Sequence, residues 1–167
     1  MPAKLLNESD KITLQHYKIL GMSWAGWVFD FYDLILFTFL LIPISKEYGF
    51  SNLQMSYILG SSLAATAVGG VIFGILSDRF GRKAVLQWTI LTYSIGTFFS
   101  GFAGSFWFLM AFRVITGLGV GGEWATGQTY VSETFPARVR GRYCAFMQTS
   151  APIGIALHPS LVVYFPR

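Results

Sequence analysis

Four ionisable side chains stand inside long apolar runs of this 167-residue sequence: Asp30, Asp33, Arg113 and Glu123. An ionised group at the centre of a membrane span costs roughly 2.5 to 3.5 kcal/mol on insertion scales, so such groups face a bundle interior or water. Asp30 and Asp33 are three residues apart and share one helical face. A neighbouring arginine holds a carboxylate ionised while desolvation drives it neutral, so entry of ligand or water shifts its proton occupancy. The expected chemistry is proton coupling, with Asp33 as the proton carrier and Arg113 as its partner. The guanidinium also offers a bidentate seat for a substrate carboxylate. The competing reading is a structural ion pair. Asp30 is assigned to substrate contact or a second protonation step, and Glu123 to another helix or an inner gate. Trp24, Trp27, Trp107 and Trp124 read first as interfacial anchors and second as rings that stack on a substrate.

A rival chemistry is written in "RVITGLGVGGEW", residues 113–124, where Gly117, Gly119 and Gly122 have the G-x-G-x-x-G spacing of a dinucleotide loop. Such a loop follows a strand, opens a helix and is followed about 20 residues later by an acid, a position that falls here near Arg142. The glycines instead lie deep in an apolar span, where a lipid-exposed loop would leave backbone groups unpaired at several kcal/mol each. They read as helix-contact glycines. Gly117 with Gly121, and Gly70 with Gly74, have the spacing that puts two small residues on one face.

These residues must be positioned by membrane helices. The chain is 53% hydrophobic and 12% charged, about half the charged share of a soluble domain. No Asp, Glu, Lys or Arg occurs from Tyr48 to Ser77, from Ala84 to Phe112 or from Tyr143 to Pro166. Each run exceeds the roughly 20 residues needed to cross the hydrocarbon. The expected spans are 19–42, 54–77, 84–103, 106–132 and 142–165, an all-α polytopic bundle of about five transmembrane helices behind a polar tail, residues 1–18. Pro43 is expected to end the first helix. Lys4, Lys11 and Lys18, then Arg79, Arg82 and Lys83, then Arg138, Arg140 and Arg142 alternate with loops carrying only Lys46. That bias puts the N-terminus in the cytoplasm of a cell-membrane protein.

Depth supports the proposed pair. Counting from Ile19, Asp33 lies about 21 Å into a core about 30 Å thick, and counting from Phe106 on the opposite side, Arg113 lies about 10 Å deep. The two depths match. The single Cys144 makes no internal disulfide and reads as a packing residue, and neither His16, placed in the polar tail, nor His158 has partners for a metal or heme. No catalytic arrangement, metal cluster or cofactor motif is expected. The formal charge of +4 sits in short loops, which speaks against nucleic acid.

At "GILSDRFGRKAV", residues 74–85, the sequence resembles the signature loop between helices two and three of the major facilitator superfamily, through Gly74, Asp78, Arg79, Gly81, Arg82 and Lys83. Residues 113–142 resemble the fourth-helix pattern of its sugar and metabolite transporter branch, leading to Glu133, Pro136, Arg140 and Gly141. "FDFYDLILF" is similar to the acidic first helix of metabolite:proton symporters. The resemblance implies rocker-switch transport of an organic acid, sugar or sugar acid, with Asp33 and Arg113 matching an acid and an arginine tied to proton coupling. It also implies a gating role for Asp78 and a cytoplasmic charge network of Arg82, Glu133 and Arg140.

The superfamily has about twelve helices in two related halves, so the resemblance implies an incomplete N-terminal half that needs its C-terminal half, in cis or in trans, with the bilayer, protons and a small metabolite as further partners. The ending "HPSLVVYFPR" departs from the expected helical continuation. The expectation from that ending is a truncated chain, inactive alone, with an inert fragment or a split-transporter subunit as the alternative.

Overall fold

The computed structural model describes residues 12–162, with side chains described through Leu157. The tail up to Lys11 lies outside the described residues, as does the departing ending beyond residue 162; residues 158–162, His158 among them, are described by their backbone alone. Among the described residues six helical segments follow one another: α1 Leu14–Tyr48, α2 Asn52–Phe80, α3 Arg82–Ser100, α4 Phe106–Thr134, α5 Ala137–Gln148 and α6 Ser150–Val162. No strand occurs among the described residues. Backbone donors and acceptors are thus satisfied within each helix, as hydrocarbon requires.

The helix ends follow local chemistry. Pro43 does not end α1, contrary to expectation; it lies inside a helix that continues to Tyr48. A proline removes one hydrogen bond, and the flanking turns carry the helix past it. The stop comes at Gly49, with φ of +68°, where Phe50 N–H donates to the Ser45 carbonyl at 3.1 Å in a Schellman-type closure. Ser51 opens α2 with a capping box: Gln54 N–H donates to Ser51 Oγ at 3.2 Å and Ser51 N–H to Gln54 Oε1 at 2.9 Å. Gly81, with φ of +88°, is the single hinge residue between α2 and α3. Pro136 disfavours helical backbone at Phe135, so α4 stops and α5 starts from the proline. The fifth expected span is α5 and α6 joined at Thr149, three residues before Pro152, whose missing N–H leaves the Gln148 carbonyl without its usual donor.

Two compact units are distinguishable: the described residues of Met1–Leu36 with Gly127–Arg167, and Phe37–Thr126. In the second, Phe37, Met55, Ile58, Ala103 and Leu109 form a buried apolar cluster. In the first, His16 is fully buried, a correction to its placement in the polar tail: α1 already begins at Leu14, and the ring packs edge-on to Phe135 at 5.1 Å. Its Nδ1 accepts the Thr13 N–H at 3.1 Å, so the ring caps the helix start.

Large apolar side chains face outward, and several polar and charged ones are buried beside the apolar core. Met22, Phe29, Ile42, Leu53, Val71, Phe98 and Trp107 are exposed, whereas Asp30, Asp33, Arg113, Glu123, Thr89 and Thr126 are buried. Among the described residues, α1 and α2 alone are both long and apolar enough to span a membrane by composition, with mean hydropathies of 1.8 and 1.9. The α3 and α4 segments dilute their apolar content with Gly, Thr and Ser, and α4 also with Arg113 and Glu123.

Candidate functional site

The glycine run of α4 answers the nucleotide question through its neighbours. A Cβ at Gly117 would overlap the Ser62 carbonyl oxygen, and one at Gly121 the Thr66 carbonyl oxygen, so this face lies backbone to backbone on α2. A Cβ at Gly119 would strike Tyr93, and one at Gly122 would meet Phe73 of α2 and Thr89 of α3. The four glycines let α4 approach two helices at once, and none forms a loop. Gly70 contributes more loosely, with the Gly121 carbonyl oxygen 3.4 Å from where its Cβ would be. Gly74 does not share the contact: a Cβ there meets nothing within 4 Å among the described residues. The tight α2 position is Gly69, against the backbone of Leu118, because the contact follows the crossing point of the helices and ends before the next turn. Gly96 of α3, which faces Thr116, was equally invisible to spacing rules.

This close packing presents Arg113. The residue is 7% exposed, its Cζ lies 3.6 Å from the centre of the Phe37 ring, and Ser62 Oγ donates to its backbone carbonyl at 3.0 Å. The ring face offers the guanidinium an electrostatic seat. Ten residues along α4, Glu123 is 1% exposed, and its Oε1 has no hydrogen-bond partner among the described residues. In the first unit, Ser23, Trp27, Asp30 and Asp33 are buried at helical spacing along one stripe of α1. Asp30 and Asp33 therefore do share a buried face. Phe37 gave no sequence signal, since one phenylalanine among sixteen is not distinguished by its type.

The α2–α3 hinge places its charges at the helix ends. Arg82 Nη2 lies 2.6 Å from Asp78 Oδ1, and its Nη1 also donates to Ser77 Oγ. Arg79 and Lys83 are exposed. In the other unit Glu133 is exposed near the end of α4, and Arg140 Nε donates to the Phe135 carbonyl at 3.4 Å. No group of three or more metal-ligating side chains occurs among the described residues.

The sequence pattern of the Major Facilitator Superfamily matches residues 22–165. The chain belongs to this superfamily. It is an integral membrane protein of a transporter family. It is 32% identical over 148 residues to the sialic acid transporter NanX of Escherichia coli, covering 89% of this chain and 36% of that one. It is 37% identical over 150 residues to the niacin transporter NiaP of Acinetobacter baylyi, covering 90% and 34%. The inward-open structure of the E. coli xylose transporter XylE superposes with a TM-score of 0.78 at 20% identity, over 91% of this chain and 41% of that one, which shows the fold. The chain thus spans about a third of the length of the curated relatives it matches.

Proposed function

We propose that the chain supplies first-half helices of a proton-coupled secondary transporter of small organic acids in the cell membrane, with its N-terminus in the cytoplasm. The observation that carries the reading is Arg113, a guanidinium 7% exposed and seated on the Phe37 ring inside a membrane helix. Arginine offers two parallel donors to a carboxylate. Sialic acid and niacin, the compounds for which two relatives are named, are both carboxylic acids.

In this reading Asp33 carries the proton and Arg113 is its partner. Support comes from the burial of both and from the sequence, where Phe37, the seat of Arg113, follows Asp33 by one helical turn. Asp30 contacts substrate or takes a second proton, and Glu123 belongs to the inner gate. Substrate carboxylate competes with Asp33 for the cation, which frees the acid to accept a proton. The Asp78–Arg82 pair, with Arg79 and Lys83 beside it, and the charges Glu133 and Arg140 act as a cytoplasmic latch. Asp78 is 66% exposed, so its pair is weak enough to break and remake in each cycle. Because the chain spans about a third of its relatives, alternating access is proposed for it together with the remaining helices, supplied in cis or in trans.

Uptake of labelled niacin, sialic acid and xylose into sealed vesicles, with this chain and the remaining helices present, tests the reading. An inward proton gradient should drive uptake of the acids, a protonophore should abolish it, and Asp33→Asn should remove the response. Uptake that follows a sodium gradient and ignores protons would reject proton coupling, and uptake of xylose alone would reject the carboxylate reading.

A further inference from the structure

The first unit contains a groove of about 430 Å³ between α1 and α5 that the transport reading does not use. One wall is Tyr17, Leu20, Gly21 and Trp24; the other is Arg142, Tyr143 and Phe146. Its chemistry is layered along its length. At one end Arg142 stands beside two tyrosines whose hydroxyls are 3.4 Å apart. Seven residues further along α1, or about 10 Å, the walls are Trp24 and Phe146, stacked at 5.9 Å.

That order of cation, phenols and apolar rings matches the order of phosphate, ester and acyl chain in a phospholipid. The charge of the walls is single-signed. From Leu14 to Phe29 and throughout α5 there is no Asp or Glu, while Lys18, Arg138, Arg140 and Arg142 are present. The polar atoms beside the groove are already engaged, since the Trp24 indole N–H donates to Thr149 Oγ1 at 3.0 Å. An uncharged occupant would make no use of the exposed Arg142 cation, and a soluble anion would leave the apolar length of the groove empty. We propose that this groove holds an anionic glycerophospholipid, with its phosphate on Arg142 and one acyl chain over Gly21 and along the stacked rings of Trp24 and Phe146.

Gly21 supplies a clean means of blocking the site, because a Cβ there meets nothing within 4 Å. Gly21→Leu projects an isobutyl side chain into the groove from a position where the Cβ is unobstructed, and leaves Arg142 in place. The full chain is reconstituted in vesicles of phosphatidylcholine containing brominated-chain phosphatidylglycerol or brominated-chain phosphatidylcholine. The Trp24 signal is the fluorescence difference between the full chain and Trp24→Phe. Trp88 and Trp107, 43% and 71% exposed, report insertion and are quenched alike by both lipids. Quenching of Trp24 should favour phosphatidylglycerol by about fivefold, the scale of one cation near an anionic membrane surface. Arg142→Gln should abolish that preference, and Gly21→Leu should abolish the quenching of Trp24 itself. Equal quenching by the two lipids, or a preference that survives Arg142→Gln, overturns the proposal. So does a Trp24 that neither lipid quenches while Trp88 and Trp107 are quenched, since another helix or a second copy then covers the groove.

Discussion

In the proposed function, Arg113 is the residue on which substrate recognition turns. Lysine keeps the charge but loses the planar fork, so Arg113→Lys is expected to raise the KM for a carboxylate substrate by about ten- to a hundredfold, the scale of one or two charge-assisted hydrogen bonds. Uptake kinetics at several substrate concentrations check this. Phe37→Leu retains apolar bulk and removes the ring face, and is expected to lower stability by about 0.5–2 kcal/mol, read from thermal unfolding in detergent. A variant that weakens uptake with unchanged stability would separate the cation–ring contact from the fold. The sequence exposed Arg113 because a charge in an apolar run is conspicuous. It hid Phe37, whose role comes from what lies opposite it.

Among the elements, the crossing of α4 over α2 and α3 depends on backbone approach. Gly121→Ala drives a methyl group into the Thr66 carbonyl and is expected to cost about 1–3 kcal/mol. Gly60→Ala in α2 has open space and should gain about 0.5–1 kcal/mol from helix entropy. The two thermal shifts should therefore have opposite signs. If both substitutions stabilise, α4 does not pack on α2 as described. Spacing found Gly117 and Gly121, because the α4 run keeps the same small residues on successive turns. It misplaced one member of the α2 pair, Gly69 rather than Gly74, because the point at which two rods cross is not a property of either rod.

For the whole molecule, the testable quantity is orientation. With Cys144 replaced by serine, a cysteine at Lys46 should react with a membrane-impermeant thiol reagent from outside intact cells. A cysteine at Lys83 should react only after permeabilisation. Reversed labelling would overturn the cytoplasmic N-terminus and the inside placement of the Asp78–Arg82 latch. The helices themselves do not report their depth, since α1 with its 35 residues is about 52 Å long against a core of about 30 Å. The matched depths of Asp33 and Arg113 therefore rest on the apolar runs.

By itself the sequence determined the helical class, the succession of membrane passes and the four ionisable residues within them. The physical reason is that a helix in lipid satisfies its own backbone, so length, apolar content and misplaced charge are local signals. The signature around Asp78 and the α4 pattern added the superfamily. Tertiary structure alone decided which faces meet: the seat of Arg113 on Phe37, the burial of His16 against Phe135, the use of Gly69 and Gly96, and the paired walls of Tyr17 and Arg142. It also carried α1 past Pro43, because one lost hydrogen bond is outweighed by the turns on either side, and the stop waits for a glycine that can take positive φ. Contacts between elements join residues far apart in the chain, and no periodicity along one helix encodes them.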